Sequence, residues 1–212
     1  MVTQTGQSMK FETSDGLSIE GVLHLPEATP SAGFVVCHPH PQYGGDMHNN
    51  VVMSICKTAI DSGIAALRFN FRGVGASEGA YDGGTGEQKD VAAALGHLRS
   101  VAEVDSSRVG LAGYSFGAAV ALWAVDEHVR ALITVSTPTS LGTIAAPSVA
   151  CPALFVSGDA DEYNDPAAIR LLAEEAAGEA EVVIVPGVDH FWSSGDEQLR
   201  KAVAGFLEKN LK

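Results

Sequence analysis

One serine of this chain lies in a sequence that favours nucleophilic chemistry. Ser115 is the centre of Gly113-Tyr114-Ser115-Phe116-Gly117, which follows the apolar strand pattern Arg108–Ala112 and opens a helical pattern. In a tight turn between a strand and a helix, flanking glycines relieve crowding and the serine hydroxyl projects above the sheet. The N-terminus of the following helix supplies free N–H groups and a positive dipole end for developing negative charge. The spacing therefore predicts a serine nucleophile.

A nucleophilic serine needs a base, and the base needs an acid that orients it. The chain has seven histidines, and only His190 follows the last apolar run, at the start of a loop that leads to the final helix. The apolar run Ala153–Val156 is followed by three carboxylates, Asp159, Asp161 and Glu162. From the residues alone, each of the three is a candidate for the acid.

The segment from His38 to Asn50 is rich in polar side chains and raises the question of a metal site. It contains His38, His40, Asp46 and His48, so its spacing is H-x-H-x5-D-x-H. That spacing differs from the compact H-x-H-x-D-H of metallo-hydrolases, and two prolines stiffen the run. We therefore expect no metal here.

The segment Arg72–Gly79 is glycine-rich and superficially suggests a phosphate-binding loop. It lacks the Gly-Lys-Ser/Thr of a P-loop, and no helical pattern begins immediately after it. Ser77 has no helix N-terminus behind it and does not compete with Ser115 as a nucleophile. We interpret this segment as a structural turn beside the active site.

Short apolar runs alternate with helical patterns along most of the chain, after an opening β-hairpin at Met9–Thr13 and Leu17–Leu25. The predicted strands after the hairpin are 33–37, 64–71, 109–112, 131–135, 153–156 and 182–185. The predicted helices are 50–59, 88–101, 116–125, 166–177 and 198–209. This alternation predicts an α/β fold with a mostly parallel sheet of about eight strands, helices on both faces and an antiparallel edge. No repeat or linker is visible, so we expect a single domain over residues 1–212.

Composition excludes several classes of function. The 212 residues carry 13 Lys and Arg against 26 Asp and Glu, a net charge of −13. With 46% hydrophobic and 18% charged residues, the chain is expected to fold rather than stay disordered. A surplus of acidic residues disfavours nucleic acids and anionic membranes as partners. Three cysteines without a close-spaced pair, a polar first ten residues and the absence of an 18-residue apolar run predict a cytoplasmic protein.

The chain resembles the α/β-hydrolase superfamily and is most similar to its small, lidless branch, which includes dienelactone-hydrolase-like proteins and esterases. The resemblance extends from about Phe11 to Leu207. Besides the Ser115 motif, three stretches carry it: Cys37-His38-Pro39-His40-Pro41 with Gly44-Gly45, Arg72-Gly73-Val74-Gly75-Ala76-Ser77-Glu78-Gly79, and Asp189-His190-Phe191. Dienelactone hydrolases proper use a cysteine nucleophile, whereas this chain has a serine.

The resemblance implies a catalytic triad of Ser115, Asp161 and His190. The family places the acid three residues after a glycine, which selects Asp161 over Asp159 and Glu162. In such a triad, Nε2 of His190 takes the proton of Ser115, while Asp161 accepts a hydrogen bond from Nδ1–H and fixes the tautomer.

The resemblance also implies an oxyanion hole, in which one backbone N–H joins that of Phe116. His40 occupies the position after the family's His-Gly pair, which is His38-Pro39 here, so its N–H is the expected donor. Gln42 and Tyr43 remain alternatives.

These features predict a serine hydrolase that cleaves small-molecule carboxylic esters through an acyl-enzyme and needs no cofactor. An acyltransferase or a peptidase would use the same triad, and a non-catalytic binding protein is a further alternative. The segment Thr137–Ala150 is too short for a cap of several helices, so we expect an open cleft. Tyr43, Phe191 and Trp192 are its expected apolar walls, although each is equally compatible with ordinary core packing.

Overall fold

An eight-stranded sheet extends through the computed structural model, which describes residues 6–141, 149–176 and 179–212. The strands are β1 Gln7–Glu12, β2 Ser18–His24, β3 Ser31–Cys37, β4 Ala65–Phe69, β5 Val104–Tyr114, β6 Val129–Val135, β7 Ala153–Gly158 and β8 Ala180–Val185. Their order across the sheet is β1-β2-β4-β3-β5-β6-β7-β8. The predicted α/β class, with about eight strands, is confirmed.

The sheet is parallel except at one edge. β1 and β2 form the predicted antiparallel hairpin, and β2 also pairs antiparallel with β4. All later pairs are parallel, from β3 with β4 and β5 to β7 with β8. After β3 the chain goes to β4 on one side and then returns to β5 on the other. The crevice at such a switch point is where ligands bind in open α/β sheets.

Five helices cover both faces of the sheet. They are α1 Asn50–Asp61, α2 Thr85–Ser100, α3 Phe116–Ala124, α4 Pro166–Ala176 and α5 Asp196–Leu211. α2, α3 and α4 pack on one face, and α1 and α5 pack on the other. Because both faces are covered, the central strands β3 and β4 are buried along their whole length. Near-continuous apolar runs in the sequence are the consequence.

The segment between β4 and α2 is tied to the fold by a buried ion pair. Arg72 donates from Nη2 and Nε to the carboxylate of Asp90 in α2, at 2.8 Å for the Nη2–Oδ1 distance, and its backbone N–H donates to Oδ2 of the same carboxylate. The Asp90 side chain is fully buried. Arg72 also pairs with Asp15 of the hairpin turn, so one guanidinium joins three elements.

No cap covers the strand ends in the described ranges, in agreement with the predicted lidless fold. The segment Thr137–Ala150 was expected to be too short for a cap. Its residues 142–148 lie outside the described residues. Among the described residues, no helix has both the length and the apolar character that a membrane crossing requires.

Candidate active site

Ser115 makes the turn between β5 and α3, at the carboxyl edge of the sheet. Its backbone has φ 54° and ψ −120°, in the left-handed half of conformational space. The two flanking glycines are required by close approach: a Cβ at Gly113 would collide with the carbonyl of Gly117. A Cβ at Gly117 would collide with the backbone at the end of β3, including the His38 carbonyl. The turn therefore raises the serine hydroxyl while α3 passes close to the sheet.

The structure brings Ser115, His190 and Asp161 into one hydrogen-bonded chain. Ser115 Oγ lies 3.0 Å from His190 Nε2, and His190 Nδ1 lies 2.9 and 3.0 Å from the two carboxylate oxygens of Asp161. They follow β5, β8 and β7 respectively, and none of the three is more than 9% exposed. With the imidazole proton on Nδ1, facing the carboxylate, Nε2 is free to accept the serine proton.

Asp161 is itself held in place. The backbone N–H of Tyr163 donates to Oδ1 (3.0 Å), and the side-chain amide of Asn164 donates to Oδ2 (2.6 Å). Asn164 in turn accepts a hydrogen bond from the hydroxyl of Ser157. These bonds fix the plane of the carboxylate that faces His190. No motif in the sequence singled out Asn164.

The neighbouring carboxylates interact with other groups. Asp159 is exposed and accepts a 2.6 Å hydrogen bond from the backbone N–H of Gly187, while Glu162 is exposed. Asp189 accepts from both the backbone N–H and the hydroxyl of Ser193, and these bonds lower the pKa of Asp189. The geometry thus brings Asp161 to the imidazole, and not Asp159 or Glu162.

The loop that carries His190 is anchored by its backbone. The hydroxyl of Tyr114, the residue before the nucleophile, donates a buried 2.7 Å hydrogen bond to the His190 carbonyl. Burial raises the pKa of Tyr114 above its ordinary value, so the hydroxyl stays protonated as a donor. On the other side, the amide of Asn50 donates to the Phe191 carbonyl at 3.2 Å. Neither anchor could be predicted from a motif or a periodic pattern.

The segment that follows β3 forms a 3₁₀ turn, and the hydrogen bonds within this turn distinguish between the candidate oxyanion donors. The N–H of Tyr43 donates to the His40 carbonyl, and that of Gln42 donates to His40 Nδ1. These two alternatives are therefore engaged within the turn. The N–H of Phe116 is the first of α3, where helix amides have no intrahelical acceptor. The His40 and Phe116 rings lie 4.8 Å apart, so the two residues are neighbours beside Ser115.

His38 fixes the peptide that precedes His40. Its Nε2 accepts a hydrogen bond from the backbone N–H of Phe71, so its proton lies on Nδ1, which donates to the Pro39 carbonyl at 2.6 Å. The side chain is fully buried, and burial lowers the pKa of His38 to about 4. Because C=O and N–H point in opposite directions across a trans peptide, a Pro39 carbonyl turned toward His38 turns the His40 N–H away from it.

The three predicted cleft walls are found in different places. Tyr43 is 88% exposed beside His40, and Phe191 is 59% exposed beside His190. Trp192 follows the core alternative: it is 4% exposed, packs in the core under α1 and α5, and donates its indole N–H to Ser136 Oγ. A positive φ of 54° at Trp192 turns the chain after Phe191, which directs the two adjacent rings to different environments.

Two further tyrosines that the sequence did not single out lie at the site. The Tyr81 ring, in the segment before α2, packs 4.9 Å from His40 and 5.7 Å from Phe116. The Tyr163 ring lies 4.7 Å from His190. Aromatic residues in loops carry no periodic pattern, so the position of these two tyrosines at the site is visible only in the folded structure.

Two segments were considered in the sequence for metal and phosphate binding, and in the structure residues of both make hydrogen bonds that stabilise the fold. Both ring nitrogens of His38 are engaged in hydrogen bonds with the backbone, and within the described ranges no three His, Cys, Asp or Glu side chains form a group suited to a metal. In the glycine-rich segment, Ser77 donates to the Asn70 carbonyl and accepts from the Glu20 N–H, which joins the segment to β2.

Comparisons with known proteins identify related chains. A family profile described as X-Pro dipeptidyl-peptidase (S15 family) matches residues 15–147, more than half of the chain. An uncharacterized protein of Rickettsia prowazekii is 34% identical over 203 residues, which cover 89% of this chain and 84% of that protein.

Solved structures extend the likeness over the whole chain. A crystal structure from Xanthomonas campestris, described as an α/β serine hydrolase without a lid, is 31% identical, covers 99% of this chain and 96% of its own, and has a TM-score of 0.84. An esterase of Pyrococcus furiosus reaches a TM-score of 0.85 at 18% identity, over 99% of this chain and 94% of that one, a likeness of fold alone. The chain thus belongs to the S15 family of α/β hydrolases, and its fold is that of the lidless α/β serine hydrolases.

Proposed function

We propose that this chain hydrolyses carboxylic esters with small or short-chain acyl groups through an acyl-enzyme. The observation that carries the proposal is the continuous chain from Ser115 Oγ through His190 to Asp161. Such a chain converts a weakly acidic hydroxyl into a nucleophile, because the imidazole takes the proton as the new bond forms.

In the first half of the proposed reaction, Ser115 Oγ attacks the ester carbonyl carbon while its proton passes to His190 Nε2. The carbonyl oxygen becomes an oxyanion, which the N–H groups of Phe116 and His40 stabilise. His190 then returns the proton to the departing alkoxide, and the acyl group stays on Ser115. In the second half, a water molecule activated by His190 releases the acid and restores the serine.

The remaining features of the proposal concern substrate and location. Without a cap in the described ranges, the strand ends form an open site, which suits small esters. The proposed reaction uses only side chains and backbone N–H groups of the protein and requires no cofactor. The substrate is the only partner we propose, and the acidic composition supports neither a nucleic acid nor an anionic membrane. The three cysteines are buried free thiols, which supports a reducing, cytoplasmic location.

Labelling and hydrolysis together test the proposal. A fluorophosphonate probe should label the wild-type protein but not Ser115→Ala, and the wild type should hydrolyse acetyl and butanoyl esters that Ser115→Ala does not. Labelling without ester hydrolysis would move the activity to another acyl class, and the panel should therefore include lactones, thioesters and amides. Absence of both would contradict the enzyme proposal and favour a binding protein.

A second candidate is a dipeptidyl-peptidase, which the description of the matching family favours. The matched residues end at 147, before Asp161 and His190, so the match covers the nucleophile and not the rest of the triad. Release of p-nitroaniline from an X-Pro-p-nitroanilide faster than hydrolysis of short esters would favour the peptidase over the esterase.

A further inference from the structure

The aromatic rings of the site form two sets on opposite sides of Ser115. The first set follows β3, β4 and β5 and consists of His40, Tyr43, Tyr81 and Phe116, with each of the other rings within 5 Å of His40. The second set follows β7 and β8 and consists of Tyr163 and Phe191. In the sheet, β3 and β4 lie on one side of β5, and β7 and β8 lie on the other.

The chemistry of the triad gives the two sides different roles. The oxyanion forms beside the N–H groups of His40 and Phe116, on the side of the first set. The leaving oxygen receives its proton from His190 Nε2 and must therefore lie beside this imidazole. The group attached to that oxygen therefore begins next to the second set of rings.

The second set flanks the imidazole closely. Tyr163 lies 4.7 Å and Phe191 5.6 Å from the His190 ring, and Tyr163 meets Phe191 edge to face at 6.4 Å. Phe191 leaves 59% of its surface in solvent although the adjacent Trp192 is buried in the core. An exposed phenyl ring beside the group that protonates the leaving oxygen offers a face or an edge to an aromatic substrate group.

We propose that Tyr163 and Phe191 form a leaving-group subsite selective for aromatic alcohols, so that benzyl-type esters are better substrates than aliphatic esters of equal size. This rests on the ester hydrolysis proposed above and adds the class of leaving group. Aromatic pairs gain energy beyond the area that they bury, which corresponds to a preference of about three- to tenfold.

The test compares two acetate esters that differ only in the aromaticity of the leaving group, benzyl acetate and cyclohexylmethyl acetate. Both release primary alcohols of similar size, and each rate is divided by the rate of hydrolysis of the same ester in alkali. The normalised kcat/KM ratio of benzyl to cyclohexylmethyl ester is expected to be about three to ten in the wild type. In Phe191→Leu, which keeps an apolar side chain, the ratio should fall toward one, with a smaller fall in Tyr163→Leu.

Tyr43→Leu is the matched control, since it removes an exposed ring from the opposite side of Ser115. Whatever it does to the rates, it should leave the ratio as in the wild type. Hydrolysis of both esters with a ratio near one, or a ratio that neither Phe191→Leu nor Tyr163→Leu changes, would overturn the subsite while the proposed ester hydrolysis stands. Failure of the wild type to hydrolyse either ester would overturn both.

Discussion

At the scale of single residues, the geometry distinguishes most clearly between the candidates for the acid of the proposed triad. Asp161 receives four hydrogen-bond contacts from His190, Tyr163 and Asn164, whereas Asp159 is exposed and receives the Gly187 N–H. The two carboxylates are two positions apart, yet only one can select the tautomer of the imidazole.

Substituting the two carboxylates in turn should separate their roles. Asp161→Asn should lower kcat on the order of 10³- to 10⁴-fold, because an amide no longer favours the proton on Nδ1. Asp159→Asn should have a much smaller effect, since its amide oxygen can still accept from Gly187. Steady-state kinetics on one short ester measures both, with Ser115→Ala and His190→Ala as reference variants of similar, nearly complete inactivity. A larger loss in Asp159→Asn would show the choice of acid to be wrong.

The hydroxyl of Tyr114 offers a second test at this scale. Tyr114→Phe keeps the ring and removes the hydrogen bond to the His190 carbonyl, so the imidazole should lose part of its alignment with Ser115. We expect kcat to fall about tenfold with KM nearly unchanged, because a small misplacement of a catalytic group is costly. The free energy of unfolding should fall by about 1–2 kcal/mol, since a buried carbonyl loses its donor.

The exposed hydroxyl of Tyr43 provides the control for the Tyr114 variant. Tyr43→Phe removes the hydroxyl of an exposed ring and should leave the free energy of unfolding unchanged. Urea unfolding of both variants measures the stability difference. If Tyr114→Phe keeps the wild-type kcat, the hydrogen bond stabilises the fold and does not position the base.

At the scale of elements, the loops after the strands depend on how firmly the neighbouring helices are docked. α2 is joined to the segment after β4 by the buried Arg72–Asp90 pair, and this segment continues to Tyr81 beside His40. A charge left alone in this interior would be poorly solvated. The pair therefore connects the docking of a helix with the shape of the site.

Removing Asp90 should be far more damaging than removing an exposed carboxylate. Asp90→Ala leaves the Arg72 guanidinium without its principal partner and should lower the free energy of unfolding by about 3–5 kcal/mol. Asp61→Ala, which breaks exposed pairs with Lys57 and Arg200, should cost less than about 1 kcal/mol. Denaturant titrations of the two variants measure the difference. Equal costs would mean that the buried pair contributes little to stability.

The same scale shows how far the sequence could predict the site. The run of apolar strands placed Ser115, His190 and the three candidate carboxylates at one edge of the sheet, because the carboxyl ends of parallel strands meet there. The family resemblance then selected Asp161 among the carboxylates. For Trp192 the choice between cleft wall and core stayed open, because the sequence of a loop does not reveal which of two adjacent rings turns inward. In the structure the chain turns at Trp192 with a positive φ. Tyr163 reaches the site by an irregular turn before α4, which no periodicity predicts.

At the scale of the whole molecule, the open carboxyl edge of the sheet is expected to limit the length of acyl chain that the proposed esterase can contact. Esters from acetyl to hexanoyl should have a higher kcat/KM than palmitoyl esters. Each buried methylene contributes about 0.8 kcal/mol, and added carbons beyond the available walls contribute nothing. A series of esters of one alcohol, kept below the concentration at which they form micelles, measures the trend. A rise in kcat/KM sustained to sixteen carbons would require a deep acyl tunnel and contradict the open cleft.

The backbone angles of Ser115 have a consequence for how such a chain persists under selection. A non-glycine residue held at φ 54° and ψ −120° costs on the order of 1–3 kcal/mol. Ser115→Gly should therefore unfold with a free energy about 1 kcal/mol higher than Ser115→Ala, although both lack the nucleophile. A drop in stability with glycine would contradict this. A lineage that no longer needed the nucleophile would then gain stability by replacing serine with glycine, because glycine alone adopts these angles without strain. A serine at this turn is therefore the residue expected where the proposed catalysis is under selection.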